Sequence, residues 1–216
     1  MVEKFHTEME ILKQDVLRMG SLARDMLKQS VEALIRQDSS LADWVIANKK
    51  TISDYDNDIE QKCLRLISLY QPMAKDMRII ATSLKLNTYF YRIGRYGKDI
   101  AVVEQELSTK PSLANLSSIP HMADLVLGML EDALTAFEKE DVTVLQSISK
   151  RDNAVDTLRY SILRECITYM MEDPANIPQC TNYIMVARYL ERCGDHACKI
   201  AEKVHYMVTG KRVEFK

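Results

Sequence analysis

A chain of 216 residues with 47% hydrophobic content and a net charge of −2 is long enough to bury one or two cores without disulfide or metal staples. The near-balanced charge and the lack of any basic block exclude the electrostatic footprint of a nucleic-acid binder. No uninterrupted apolar run approaches membrane-spanning length, and the amino terminus carries charges where a secretory signal needs an apolar stretch, so a cytoplasmic protein is expected.

Only 6 Gly and 5 Pro leave few turn positions, and long β-branched alternating runs are missing, so the predicted fold class is all-α. The first helix is predicted from about Lys4 to Gln37, with an apolar stripe through Met9, Leu12, Val16, Met19, Ala23, Met26, Ser30 and Ala33. Asp38 or Ser39 reads as the N-cap of a second helix that runs to about Tyr70, where Gln71-Pro72 closes it. A third runs from Met73 to about Ser108, and Pro111 to Pro120, poor in helix formers, is the natural boundary between units 1–110 and 111–216. A fourth helix is predicted from about His121 to Lys139, with Asp141 as the next cap. The fifth ends near Glu172, and the sixth runs from about Pro178 to Thr209, stopped by Gly210.

The two groups of three helices read as copies of one another. At an offset of 103 residues, Gln37-Asp38 matches Glu140-Asp141, and Ile52, Ile59 and Cys63 match Val155, Ile162 and Cys166. At an offset of 100, Tyr89, Arg92, Gly94, Ile100 and Ala101 match Tyr189, Arg192, Gly194, Ile200 and Ala201. A tandem duplication is the expectation.

Glu191 and Asp195 stand four residues apart in the sixth helix, which puts both carboxylates on one face, roughly 6 Å apart along the axis. Asp152 and Asp156 repeat the spacing on the fifth helix. In an antiparallel hairpin turning at Asp173-Pro174, Asp152 comes level with Asp195 and Asp156 with Glu191, so four acids meet at one depth. Like charges so placed repel and call for a cation. An all-oxygen set suits magnesium, calcium, manganese or iron. Basic side chains are the other reading: Arg188, Arg192, Lys150, Arg151 and Lys199 are all close enough in sequence to neutralise the cluster.

In the first repeat the four positions carry Lys49, Ser53, Tyr91 and Arg95. That half keeps the geometry and changes the chemistry. Asp54 and Asp58 lie one residue out of register, rotated by about 100°, and read as solvated surface acids. His196 follows Asp195 directly and so points away from the acid face; His6, His121 and His205 share no spacing. Gly94 and Gly194, inside helical patterns, suggest close helix approach. The five cysteines, odd in number and without Cys-x-x-Cys spacing, read as buried free thiols. No nucleophile–base pattern, phosphate-cradling glycine loop or nucleotide fingerprint is present, so an enzyme is not expected.

Gln71-Pro72-Met73-Ala74-Lys75-Asp76-Met77-Arg78, and Glu191-Arg192-Cys193-Gly194-Asp195-His196-Ala197 with Ile200-Ala201 after it, resemble the PhoU family of phosphate-uptake regulators. The resemblance implies two three-helix bundles related by a pseudo-twofold axis, in a protein often found as a dimer. It also implies metal sites at the acidic motifs, with iron, manganese or magnesium as candidates; only Asp152, Asp156, Glu191 and Asp195 match them, and the first half departs at every position. Partners implied are the cytoplasmic side of the phosphate-specific ABC transporter and a sensor histidine kinase, with the protein acting as a negatively regulating adaptor. A metal-dependent enzyme using the carboxylate centre, and a plain helical interaction module without metal, are the rival readings.

Overall fold

The computed structural model describes residues 2–108 and 118–215. Among them lie six α-helices and no strand: α1 (Val2–Arg36), α2 (Ser39–Tyr70), α3 (Ala74–Leu107), α4 (Ser118–Lys139), α5 (Ile148–Glu172) and α6 (Ile177–Thr209). Asp38 caps α2 as predicted, its carboxylate accepting from the N–H of Ser40 at 3.0 Å and of Leu41 at 3.4 Å. Gly210 ends α6 in the left-handed region at φ 72, its N–H returning to Tyr206 O. Asp141 also binds a backbone N–H, that of Thr143 at 2.9 Å, but the segment it opens is a 3₁₀ turn, Thr143–Ser147, and α5 proper starts only at Ile148. The predicted boundary at Pro111 to Pro120 falls largely outside the described residues; Ser118–Pro120 already form the first turn of α4, where proline is tolerated because its missing N–H is unused.

The duplication is written into the backbone. Gln37 and Glu140, equivalent positions, both adopt φ 52, a left-handed conformation uncommon outside glycine. The matched pairs Ile52/Val155, Ile59/Ile162 and Cys63/Cys166 are buried in both halves, and every residue of the predicted α1 stripe is buried too. Ser30, the one polar member, donates to Leu27 O at 2.8 Å, which satisfies the hydroxyl within its own helix.

Helices α1, α2 and α3 pack as one bundle and α4, α5 and α6 as the other, with α3 against α6 and α1 against α4 joining them. Both joints are antiparallel. Along α3, Arg78, Thr82, Tyr89, Tyr96 and Glu106 meet Met207, Lys203, His196, Tyr189 and Asn182 in falling order. Along α1, Lys13 and Arg24 pair with Glu140 and Glu131. The Tyr89–His196 and Tyr96–Tyr189 stacks, each with centroids 5.6 Å apart, exchange under the repeat offset, so the pseudo-twofold axis passes between them, level with Arg92 and Arg192.

Close approach holds at Gly94, where an added Cβ would run into Ile52. At Gly194 the nearest atoms are 3.4 to 3.8 Å away, ordinary contact, and the closest is Asp152 Oδ1. The tightest backbone approach is at Gly97, where a Cβ would meet Met26 and Leu27 main-chain atoms at 3.0 to 3.1 Å.

His196 is buried between Tyr89 and Tyr96, and its Nε2 has no hydrogen-bond partner. Burial pushes its pKa down to about 4, with the Arg92 and Arg192 charges acting in the same direction and Asp195 against it. A folded value below the unfolded 6.5 means stability is intact above pH 6.5 and is lost as pH falls towards 4. The interval of about 2.5 units sets a ceiling on the order of 3 kcal/mol. In EDTA, His196→Phe, which keeps the stack and removes the unpartnered nitrogen, is expected to match wild type in urea unfolding at pH 7 and to lose less stability at pH 4.5. Equal losses in both proteins would refute the assignment.

Candidate functional site

Asp152 and Asp156 are presented by α5, Glu191 and Asp195 by α6, and the hairpin between them brings the two helices together at one depth of the second bundle. Asp152 lies over Gly194, and Val155, one turn on, covers the same spot. The carboxylate of Asp152 is half-buried against α6 at this point.

The acids sense one another. Burial raises the pKa of Asp152, and the charges of Asp156 and Asp195 push it further, while a hydrogen bond from the Cys198 thiol pulls it back. Burial likewise raises Glu191, with Asp195 adding to it and Arg188, Arg159 and Arg192 opposing. Asp156 is exposed and Asp195 half-buried, so the buried ends of the two pairs carry the electrostatic strain.

Basic side chains do sit on part of the cluster. Arg188 Nη1 donates to both Glu191 oxygens at 2.7 and 2.8 Å, and Arg192 Nη1 to Asp195 Oδ2 at 3.0 Å. Two of the other expected neutralisers are engaged elsewhere, Arg151 with Asp132 and Lys199 with Glu202. Asp152 and Asp156 appear in no ion pair among the described residues. In this arrangement no three His, Cys, Asp or Glu side chains among the described residues form a ready-made metal cage. The donor chemistry nonetheless suits a hard cation: it is all carboxylate, crowded enough to raise two of its members, with Arg188 and Arg192 covering Glu191 and Asp195.

Sequence reasoning passed over two participants. Cys198 was read as packing, but it stands one turn beyond Asp195 and its thiol is the hydrogen-bond donor to Asp152; the i, i+3 spacing on the acid face was the available signal. Arg159, one turn beyond Asp156, lies over the Tyr160 ring at 4.2 Å and reaches Glu191 by its charge. In the first repeat, Arg95 lies beside Tyr91, Nη1 to hydroxyl 3.5 Å, while Asp54 and Asp58 are exposed. The surface reading of those two acids fits their exposure.

The PhoU domain matches the chain twice, over residues 16–103 and 119–204. The chain belongs to the PhoU family. A relative from Clostridium acetobutylicum, named a phosphate-specific transport system accessory protein PhoU homolog, is 34% identical over 211 residues, covering 97% of this chain and 96% of its own. One from Caulobacter vibrioides with the same name is 37% identical over 213 residues, covering 98% and 93%. The crystal structure of PhoU from Pseudomonas aeruginosa superposes with a TM-score of 0.92 at 35% identity, covering 96% of this chain and all of that one. The phosphate transport system regulatory protein PhoU from Streptococcus pneumoniae gives 0.88 at 29% identity, covering 97% and 99%. The PhoU fold thus spans both bundles, and the repeat boundaries of the family bracket the acid cluster in the second.

Because Asp152 has its pKa raised in the folded state, the native protein holds its proton more tightly than the unfolded chain, and stability falls as pH rises through that interval. Metal-free Asp152→Asn is therefore expected to melt above wild type at pH 7, with the difference closing as pH drops below the unfolded aspartate value. A lower melting temperature at pH 7 would show that Asp152 contributes a favourable charge interaction in the metal-free state.

Proposed function

We propose that this chain is a cytoplasmic regulator of phosphate uptake that works as a helical adaptor, restraining the phosphate-specific ABC transporter and the signalling of its sensor histidine kinase. The observation that carries the reading is the family match over both repeats, to relatives of nearly equal length that are named as accessory proteins of the phosphate-specific transport system. A regulator, not a catalyst, also accords with the form of the molecule, in which long helices offer faces for docking. No described helix is long and apolar enough to cross a membrane; the contact proposed is with the transporter's cytoplasmic subunits.

Exposed apolar side chains support docking. Leu64, Leu69 and Met73 crowd the α2–α3 turn, and Ile167, Met171 and Ile177 the α5–α6 turn, with Met73 and Met171 each 81% exposed. Leu64 and Ile167 are repeat equivalents, so the two tips present related apolar surfaces at opposite ends of the molecule. In a homodimer, four such tips would be available. Copurification with the transporter's ATP-hydrolysing subunit is expected in high phosphate and to be reduced by Met73→Asp with Met171→Asp, while circular dichroism stays unchanged. Undiminished capture by that double variant would remove the tips from the docking surface.

The second element of the proposal is a metal ion on the second bundle, held by Asp152, Asp156, Glu191 and Asp195 with Arg188 and Arg192 displaced. When bound, such an ion would supply the positive charge that the raised carboxylates lack. Iron, manganese and magnesium all suit the oxygen donors. Metal analysis of purified protein is expected to find one loaded site or cluster per chain and none in Asp152→Ala/Glu191→Ala. Full occupancy in the double variant would place the ion elsewhere.

A further inference from the structure

The duplication supplies an internal control for every surface: what packing demands should recur in both halves, and what function demands need not. At the end of the α3–α6 joint, Ala81, Thr82 and Lys85 of α3, Glu202, Lys203 and Tyr206 of α6, and Arg212, Val213 and Glu214 of the tail line an open cleft of about 570 Å³. At the offset of 100, Lys85, Lys203 and Tyr206 correspond to Met185, Val103 and Glu106. These three mate positions carry no basic group, and Glu106 there is taken up by Asn182 at 3.3 Å. Basic lining at one end of the joint is not a consequence of helix packing.

The cleft's acids are already engaged, while its bases form no ion pair among the described residues. Lys199 Nζ holds both oxygens of Glu202 at 2.9 Å, and the Phe215 N–H adds a third contact to Glu202 at 3.3 Å. The charge of Glu214 also acts on Lys199. No described carboxylate forms an ion pair with Lys85, Lys203 or Arg212. Basic residues in the last turn of a helix often answer its dipole, but that effect fades within a turn. Lys203 stands well inside α6 and Lys85 well inside α3.

The tail is fixed over the cleft. Lys211 N–H donates to Thr209 Oγ1 at 3.1 Å, Lys211 O lies 3.1 Å from His205 Nδ1, and Phe215 packs on the core. These contacts hold Arg212 over the Tyr206 ring, 5.8 Å from its centroid. The result is three cations from three separate segments around one cavity, with a hydroxyl-bearing ring on its wall and the Thr82 side chain at its edge.

We propose that this cleft binds a small molecule through its phosphoryl group. Three cations lining one cleft match an anion carrying two or more charges. The volume lies in the range of pockets for small organic ligands and exceeds what a bare phosphate fills, so a ring or sugar beside the anion would run along Tyr206. This reading stands apart from the carboxylate cluster and from the adaptor role.

Calorimetric titration of the full chain in EDTA, with ATP, inorganic phosphate and adenosine as probes, tests it. ATP is expected to bind saturably, adenosine not at all, and Lys85→Glu/Lys203→Glu to weaken ATP at least tenfold, while Lys28→Glu, on α1, leaves it unchanged. A far-ultraviolet spectrum identical to wild type confirms that the double variant is folded. Inorganic phosphate binding as tightly as ATP would assign the site to the free anion and still support it. Absence of saturable binding by both, equal binding of adenosine and ATP, or full affinity in the double variant would overturn the proposal.

Discussion

The antiparallel seating of α3 on α6 is the constraint from which the rest of the molecule follows. Stacked pairs on either side of the pseudo-twofold axis, Tyr89 on His196 and Tyr96 on Tyr189, set the depth at which the two bundles meet. They also set the rotation of α6. His196 faces α3 and Asp195, its neighbour, faces α5; the ~100° step between consecutive helical residues means that one orientation of α6 serves both contacts. Turning the helix to move the acids away from α5 would pull His196 out of its aromatic slot, so the carboxylate cluster inherits its placement from the bundle joint.

Duplication then lets chemistry vary on a fixed frame. Equivalent positions keep their burial at Ile52 and Val155 and their left-handed backbone at Gln37 and Glu140, because the hairpins cannot form otherwise. Surface and half-buried positions are free of that requirement, and there the halves part. Asp56, which accepts from Asn87 Nδ2 at 2.8 Å in the first bundle, has Arg159 as its mate in the second. Lys49, Ser53, Tyr91 and Arg95 stand where the second bundle has four acids. A similar division separates the basic cleft from its mate, where Lys85, Lys203 and Tyr206 are replaced by Met185, Val103 and Glu106.

Most of the fold was legible because its signals are local. Apolar stripes, the Asp38 cap, the Pro72 and Pro174 breaks and the Gly210 stop each act within a turn or two of chain, and helix boundaries read from them lie within a few residues of those observed. Asp141 shows the limit: its side chain binds the backbone as a cap does, yet whether a 3₁₀ or an α turn follows depends on what α4 leaves room for. The approach of Asp152 to Asp195 and Gly194 was also legible, since a hairpin with a known turn fixes register. What spacing could not say was which cation sits there, for Arg188 and Arg192 fall on the same face as the carboxylates by the same i, i+3 rule. Gly97 escaped notice because its partner, the α1 backbone at Met26 and Leu27, is distant in sequence. The basic cleft escaped for the same reason, being assembled from α3, α6 and the tail.

The state of the four acids follows from how unevenly they are compensated. Arg192 and Asp195 are both nearly half exposed, and pairs of that kind contribute 0–1 kcal/mol, so an arriving cation meets little opposition there. Glu191 is more deeply set, with 12% of its side chain exposed, and Arg188 grips both its oxygens; releasing it costs more. Asp152 is in the opposite situation, half-buried with only the Cys198 thiol, a weak donor, to satisfy it. Any cation at the proposed site would therefore meet less opposition at Asp152, Asp156 and Asp195 than at Glu191. Arg192 also acts on Tyr96 and His196 of the bundle joint, so the cation that compensates Asp195 stands at the contact that holds the two bundles in register.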